Sequence, residues 1–271
     1  MSVSAADLKQ GRLEMKTHNF REWIEAVRKE RGPIVLALDY TFEDRKKLLS
    51  KSVETLRAVA PYICCVKINR QLVLPLGLYE GVREIVESAH DLGLQALMDC
   101  KINDVGSTNR EIANHYYRAG FDAVIASPFV GWEGGLKPVF ELARGAGKGV
   151  VLLVYMSHEG AVEGYGQKVI DPKTGNERMQ YLVFAEKALA WGADGVVVGA
   201  TYPEKIREVS SVLKGKMPIY SPGVGVQGGD AQLALDAGAT FLIVGRSIIG
   251  VEDPADAARK LREAIGKRHR G

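Results

Sequence analysis

No apolar stretch in this chain approaches the roughly 18–20 residues that a membrane-spanning helix needs, so a spanning protein is excluded. The opening residues, MSVSAADLKQGRLEMKTHNF, are polar and of mixed charge and lack the apolar core of a secretory leader. The chain therefore reads as cytoplasmic. Cysteine is scarce: Cys64, Cys65 and Cys100 all lie in or beside apolar segments, and none has CxxC spacing. Buried free thiols in a reducing compartment are expected. The 5 histidines are scattered, so no His/Cys zinc motif is present and no metal ligand is assigned. A net charge of +3 over 271 residues is too small to imply a nucleic-acid or membrane partner.

What the chain does have is a repeated alternation. Short apolar, β-branched runs occur at 33–39 (PIVLALD), 63–68 (ICCVKI), 95–101 (QALMDCK), 122–128 (DAVIASP), 149–155 (GVVLLVY), 195–200 (GVVVGA), 217–222 (MPIYSP) and 241–246 (FLIVGR). Their starts lie roughly 20–45 residues apart, the spacing of strand–helix–strand units. The intervals carry helical patterns. Leu49, Val53, Leu56 and Ala60 form one stripe, with Thr41 as the expected N-cap and Glu43 and Asp44 in the first turn. In the last helix Asp253 caps, Pro254 takes the first helical position, and Leu261 and Ile265 share a face. Residues 18–30 form an extra helix placed to close the base. The domain reading is an N-terminal extension and helix over 1–32, then one catalytic domain over 33–271. Eight such units close a single-domain (β/α)8 TIM barrel with none left over, which favours it above an open doubly wound sheet. The strands read as nearly continuous apolar runs because both faces are covered.

Barrel enzymes place their chemistry at the C-terminal ends of the strands. Those ends hold Asp39, Lys67, Asp99 with Lys101, Ser127, Ser157, Thr201, Pro222 and Arg246. In the segment ALMDCKINDVGSTN (96–109), Asp99 and Lys101 are two apart, so regular strand geometry points both into the barrel mouth, while Asp104 falls on the following loop. A structural ion pair accounts for an isolated Asp–Lys couple. With Asp39 and Lys67 ending the two preceding strands, the cluster is too costly to bury for stability alone. The loop SPGVGVQGGD (221–230) carries Gly223, Gly225 and Gly228 in formal G-x-G-x-x-G spacing. It follows strand seven rather than opening a dinucleotide fold. Gly-rich backbone there and Arg246 after strand eight read as a phosphate site opposite the charged cluster.

Asp99-x-Lys101-x-x-Asp104, followed by Val105 and Thr108, resembles the signature of the orotidine 5′-phosphate decarboxylase family. The resemblance covers nearly all of 33–250: LALD with Asp39, VKIN with Lys67, MSHEGA with Ser157, SPGVGVQGG with Pro222 and Gln227, and VGRSI with Gly245 and Arg246 fall in the family's order. It implies release of CO2 from orotidine 5′-monophosphate to leave UMP, the last step of pyrimidine nucleotide synthesis, with no metal and no organic cofactor. By the same resemblance Lys67, Asp99, Lys101 and Asp104 form an alternating charge network, and Asp39 and Lys67 hold the ribose. Lys101 donates a proton to C6, Ser157 reads the pyrimidine edge, and Gln227, Gly245 and Arg246 grip the 5′-phosphate. Asp104 and Thr108 reach the partner's site in a homodimer. Val105 stands where Ile is commoner and Glu159 where Pro often occurs. Two other readings remain: a Mg2+-using sugar-phosphate enzyme of the same suprafamily, and a UMP-binding module without catalysis. The first lacks a Glu at or just after strand two, where VKINR runs basic; the second has no need for Lys101 between carboxylates. The long segment 163–180 reads as a lid, a dimer contact or a plain surface excursion, and the basic C-terminal run as a solvated helix face.

Overall fold

The structure, a computed structural model, describes residues 19–171 and 174–268. The N-terminal extension before residue 19 and the end of the basic C-terminal run lie outside the described residues.

All eight apolar runs become strands: β1 (Ile34–Ala37), β2 (Cys65–Asn69), β3 (Gln95–Ile102), β4 (Ala123–Ala126), β5 (Gly149–Tyr155), β8 (Gly195–Val198), β9 (Ile219–Pro222) and β10 (Phe241–Val244). They close into one parallel barrel in the order β1-β10-β9-β8-β5-β4-β3-β2. Closure joins the first strand to the last, with Ile34 against Leu242 and Leu36 against Val244. The short strands β1, β4, β8 and β10 are buried at every position, because side chains fill the barrel on one face and helices cover the other.

Twelve helices, numbered in chain order, are described: α1 (Phe20–Arg31), α2 (Arg45–Val59), α3 (Arg70–Leu76), α4 (Val82–Asp91), α5 (Gly106–Arg118), α6 (Lys137–Gly145), α7 (Ala161–Gly164), α8 (Gln180–Trp191), α9 (Pro203–Leu213), α10 (Ala231–Asp236), α11 (Arg246–Ile249) and α12 (Pro254–Arg268). No described helix is long and apolar enough to cross a membrane.

Helix α1 starts at Asn19, whose side chain accepts a hydrogen bond from Glu22 N at 2.9 Å. It buries Phe20, Trp23, Ile24 and Val27. Trp23 Nε1 donates to Gly93 O, just before β3, and a Cβ on Gly149, which opens β5, would lie 2.5 Å from the Phe20 ring. Both contacts are at N-terminal strand ends, so α1 packs against the base of the barrel.

Two local expectations need revision. Helix α2 is capped by Asp44, not Thr41: the Asp44 carboxylate accepts from Lys47 N at 2.7 Å, leaving Glu43 outside the helix and no acid in the first turn. Asp44 displaces Thr41 because its carboxylate reaches the third residue on, while 41–44 run as loop and bend. The segment after β5 contains an unforeseen antiparallel hairpin, β6 (Lys168–Ile170) with β7 (Glu177–Met179), pinned to α8 by Arg178, which pairs with both Asp171 and Glu186. At the C-terminus Asp253 Oδ1 accepts from Asp256 N at 2.9 Å, as expected of a cap.

Candidate active site

The C-terminal ends of the strands surround a cavity of about 410 Å3. Ile125, Leu153, Met156, Val197 and Ile243 supply apolar lining, so charged groups at its edge work against a poorly polarisable floor.

Charge enters from β1, β2 and β3. Lys67 Nζ lies 3.0 Å from Asp99 Oδ2 and 3.6 Å from Asp39 Oδ1. The other oxygen of Asp99 accepts from Lys101 Nζ at 2.5 Å. A row of alternating sign results: Asp39, Lys67, Asp99, Lys101. Lys67 is 5% exposed and Asp99 8%. Burial alone would lower the pKa of the Lys67 amine, yet the Asp99 and then Asp39 carboxylates hold it above the usual lysine value. Burial likewise works to raise Asp99, and the Lys67 and Lys101 ammoniums hold it below the usual carboxylate range. Both groups are therefore charged at neutral pH.

Lys101 reaches the cavity by an irregular route. Its φ is +48°, and the pairing of β3 with β4 shifts register between Met98 and Ile102. Regular alternation assigns Lys101 the right side of the strand, but a bulge with left-handed backbone makes the placement. Cys100 turns away and donates to Ile125 O; burial, with a further push from Asp99, raises its thiol pKa to about 12, so it is inert. Cys64 and Cys65 are also free and buried.

Strand β9 stands diametrically across the ring from β3, while β10 borders β1. The Gly-rich loop after β9 is therefore opposite the lysine pair, but Gly245 adjoins Asp39: a Cβ on Gly245 would lie 3.5 Å from Asp39 Oδ2. In that loop Gly225 N donates to Gly229 O, and Gly229 N to Gly223 O, folding it into a compact turn. Gly223 has φ +95°, and a Cβ there would come 2.8 Å from Gln227 Oε1 and 2.9 Å from Ser157 Cβ. Only glycine suits that position. Ser157 Oγ donates to Gln227 Oε1 at 2.9 Å, tying the β5 loop to the β9 loop across the mouth. Arg246 is exposed at the start of α11, lines the cavity and has no ion pair among the described residues.

Of the residues singled out from sequence, Asp39, Lys67, Asp99, Lys101, Ser157, Pro222, Gln227, Gly245 and Arg246 line this one cavity. Asp104, Val105 and Thr108 do not: they are exposed at the head of α5. Within one chain the alternating row runs from Asp39 to Lys101, and Asp104 takes no part in it, because the backbone leaves β3 before reaching it. Two residues, Asn69 and Gln71, escaped the sequence reading. Asn69 lines the cavity and has the strand parity of Lys67, a signal that was available. Gln71 also lines it, and its Nε2 donates to Asp39 O; Thr201, already noted at its strand end, donates from Oγ1 to Ser157 O. Neither of these contacts has a sequence signature.

The arrangement offers a buried ammonium between carboxylates, a second ammonium at the rim and, beside a glycine-rich loop, a guanidinium with no ion pair among the described residues. That set suits an anionic ligand. Comparison with known proteins agrees. The family model described as Orotidine 5'-phosphate decarboxylase / HUMPS family matches residues 32–261. The orotidine 5'-phosphate decarboxylase of Pyrococcus abyssi is 35% identical over 233 residues, covering 86% of this chain and 98% of that protein. The crystal structure of the orotidine 5'-phosphate decarboxylase from Pyrococcus horikoshii superposes with a TM-score of 0.69 at 31% identity, over 86% of this chain and 98% of that one. That of the orotidine 5'-monophosphate decarboxylase from Methanocaldococcus jannaschii, complexed with inhibitor BMP, gives 0.70 at 28% identity with the same coverage. By motif, barrel, cavity and match over most of its length, the chain belongs to the orotidine 5'-phosphate decarboxylase / HUMPS family.

Proposed function

We propose that this protein decarboxylates orotidine 5′-monophosphate to UMP and CO2, closing pyrimidine nucleotide synthesis, with no metal or organic cofactor. The observation that carries the reading is the row Asp39–Lys67–Asp99–Lys101 on the rim of a cavity whose far side holds the Gly223 loop and whose β10 corner presents Arg246. The phosphate lies against Arg246, Gly245 and Gln227. The ribose faces Asp39 and Lys67; Asp39 Oδ1 is buried and has no hydrogen-bond donor, so a ribose hydroxyl would satisfy it. The pyrimidine lies over the apolar floor beside Pro222, with its polar edge toward Ser157.

In the chemical step the bond between C6 and the carboxylate carbon breaks. CO2 departs, and the electron pair stays on C6 in the ring plane, where the π system cannot spread it. An ammonium held beside that carbon stabilises the pair electrostatically. Lys101 then gives C6 a proton and is reprotonated from water. Asp99 keeps the amine in place and repels the substrate carboxylate, a strain relieved as CO2 leaves. Phosphate binding energy, realised far from C6, orients the ring.

A homodimer completes the site, with Asp104, Val105 and Thr108 of each copy meeting the cavity of the other. Their exposure in the single chain supports this, Val105 being 60% exposed. Buried free thiols support a cytoplasmic setting.

The test follows the absorbance change as orotidine 5′-monophosphate is consumed, before and after EDTA treatment, with Lys101→Ala alongside. Turnover that survives EDTA and is lost in the variant is expected. Nucleotide binding without turnover, or Mg2+-dependent turnover of a sugar phosphate, overturns the reading.

A further inference from the structure

Asp104 lies outside the cavity of its own chain; the Asn109 side chain holds its backbone there, and Asp104's own Oδ1 accepts from Val105 N at 2.6 Å. Asn109, in α5, is fully buried. Its Oδ1 accepts from Asp104 N at 2.9 Å, and its Nδ2 donates to Asp104 O at 2.5 Å and to Gly135 O at 3.1 Å. Both amide donors are used, and the peptide groups of Asp104 are gripped from both sides. Packing enforces the same contact. A Cβ on Gly106 would come 3.2 Å from the Gly134 backbone and 3.3 Å from Pro138 Cγ. The β3–α5 loop is thus keyed to the loop before α6, while the Asp104 side chain and Thr108 remain exposed.

An ordinary capping role does not describe this geometry. Val105 is the N-cap of α5 and makes no side-chain cap bond. Asn109 donates to carbonyls and accepts from Asp104 N, so it serves none of the free N–H groups of the helix start. It spends its bonding capacity on the residue before the cap and on a neighbouring loop.

We infer that Asn109 is a positioning residue for the reaction: it fixes the Asp104 backbone so that the Asp104 carboxylate meets the cavity of a second copy of this chain in one geometry. The inference rests on the dimeric site proposed above. Asn109 touches no substrate and acts through Asp104. Loosening the clamp lets the carboxylate wander while the barrel and the cavity stay intact.

The test is a double-mutant cycle on the full-length protein: wild type, Asn109→Ala, Asp104→Ala and the double variant, with kcat, KM, melting temperature and solution mass measured for each. Asn109→Ala is expected to lower kcat/KM roughly tenfold to hundredfold, the scale of a small misplacement of an active group, with the mass of a dimer retained. In the Asp104→Ala background the same change should cost nothing more. Losses that multiply across the cycle, or a lowered melting temperature with wild-type kinetics, overturn the inference. Wild-type activity in Asp104→Ala overturns instead the dimeric site on which it rests. Asn109→Ser, smaller and still polar, is measured in parallel; failure of both variants to fold marks the amide as a stability element and also overturns the inference.

Discussion

Lys67 and Asp99 meet at 3.0 Å with almost none of either side chain in water. Removing one partner of such a pair strands the other charge and typically costs about 3–5 kcal/mol. Lys101 still neutralises part of Asp99, so Lys67→Met should fall near the lower end, about 3 kcal/mol. The pH dependence follows from the two directions of shift. The folded Asp99 carboxyl is depressed, so its contribution is complete above the ordinary carboxylate pKa of about 4 and is lost as pH falls through its lower folded value. The folded Lys67 amine is raised, so its contribution is complete below about 10.4 and is lost as pH rises through its higher folded value. Urea unfolding of wild type and variant across pH should show a constant gap between those limits, closing outside them.

Lys101 combines the proposed proton-donating amine with a strained backbone at φ +48°. Lys101→Ala and Lys101→Gly both remove the amine, and both should lose turnover while still binding UMP. Only glycine relieves the left-handed conformation, which costs roughly 1–2 kcal/mol in other residues. After glycine's own entropy cost, Lys101→Gly should be more stable than Lys101→Ala by about 1 kcal/mol. Denaturant midpoints that leave Lys101→Gly less stable than Lys101→Ala by glycine's own cost of about 0.5–1 kcal/mol would show that the bulge stores no strain.

Gly223 tests the proposed phosphate side. In Gly223→Ala the new methyl would press on Gln227 Oε1 and Ser157 Cβ at a φ of +95°, so the link between the two loops must open. The expected result is a KM at least tenfold higher and weaker UMP binding, with the Lys67–Asp99 pair untouched. Arg246→Ala should weaken nucleotide affinity by about 1.5–3 kcal/mol, the range for a hydrogen bond to a charged group. Isothermal titration with UMP reads both.

At the opposite end of the barrel, Asp122 is buried and accepts from His90 Nε2, Ala96 N and Lys148 Nζ, each at 2.9 Å. Burial works to raise its carboxyl; His90, Lys148 and the Ala96 N–H outweigh it and hold the pKa low. Asp122→Ala should cost about 3 kcal/mol at pH 7 through the stranded partners. The kinetics of the properly folded variant should stay those of wild type, because the cluster lies at the base. A depressed folded carboxyl loses its contribution as pH falls below about 4, so the stability gap should shrink at pH 3.

Much of this molecule was legible because parallel strands covered on both faces leave apolar runs that survive any detail of packing. The cavity residues at strand ends were legible for the same reason, since direction along a strand decides which end they occupy. The bulge at Lys101 was not: left-handed backbone at a lysine has no compositional mark, and alternation reached the right side of the strand by an argument the backbone does not obey. The hairpin β6–β7 had a signal in KVI and ERM flanking DPKTGN, but three-residue strands are too short for alternation to stand out. The Asn109 clamp was invisible because its partners, Asp104 and Gly135, take part only through backbone groups, and Gly135 belongs to another loop.

Gly245 adjoins Asp39 because the last barrel strand closes on the first. The corner proposed to receive the sugar and its phosphate is thus stitched from the first and last strands of the barrel. A growing chain emerging from the ribosome cannot own that corner until β10 has docked, however much of the earlier barrel has already condensed. Nucleotide capture would then report completed ring closure, and ligand would stabilise finished molecules selectively over those still lacking their final strand.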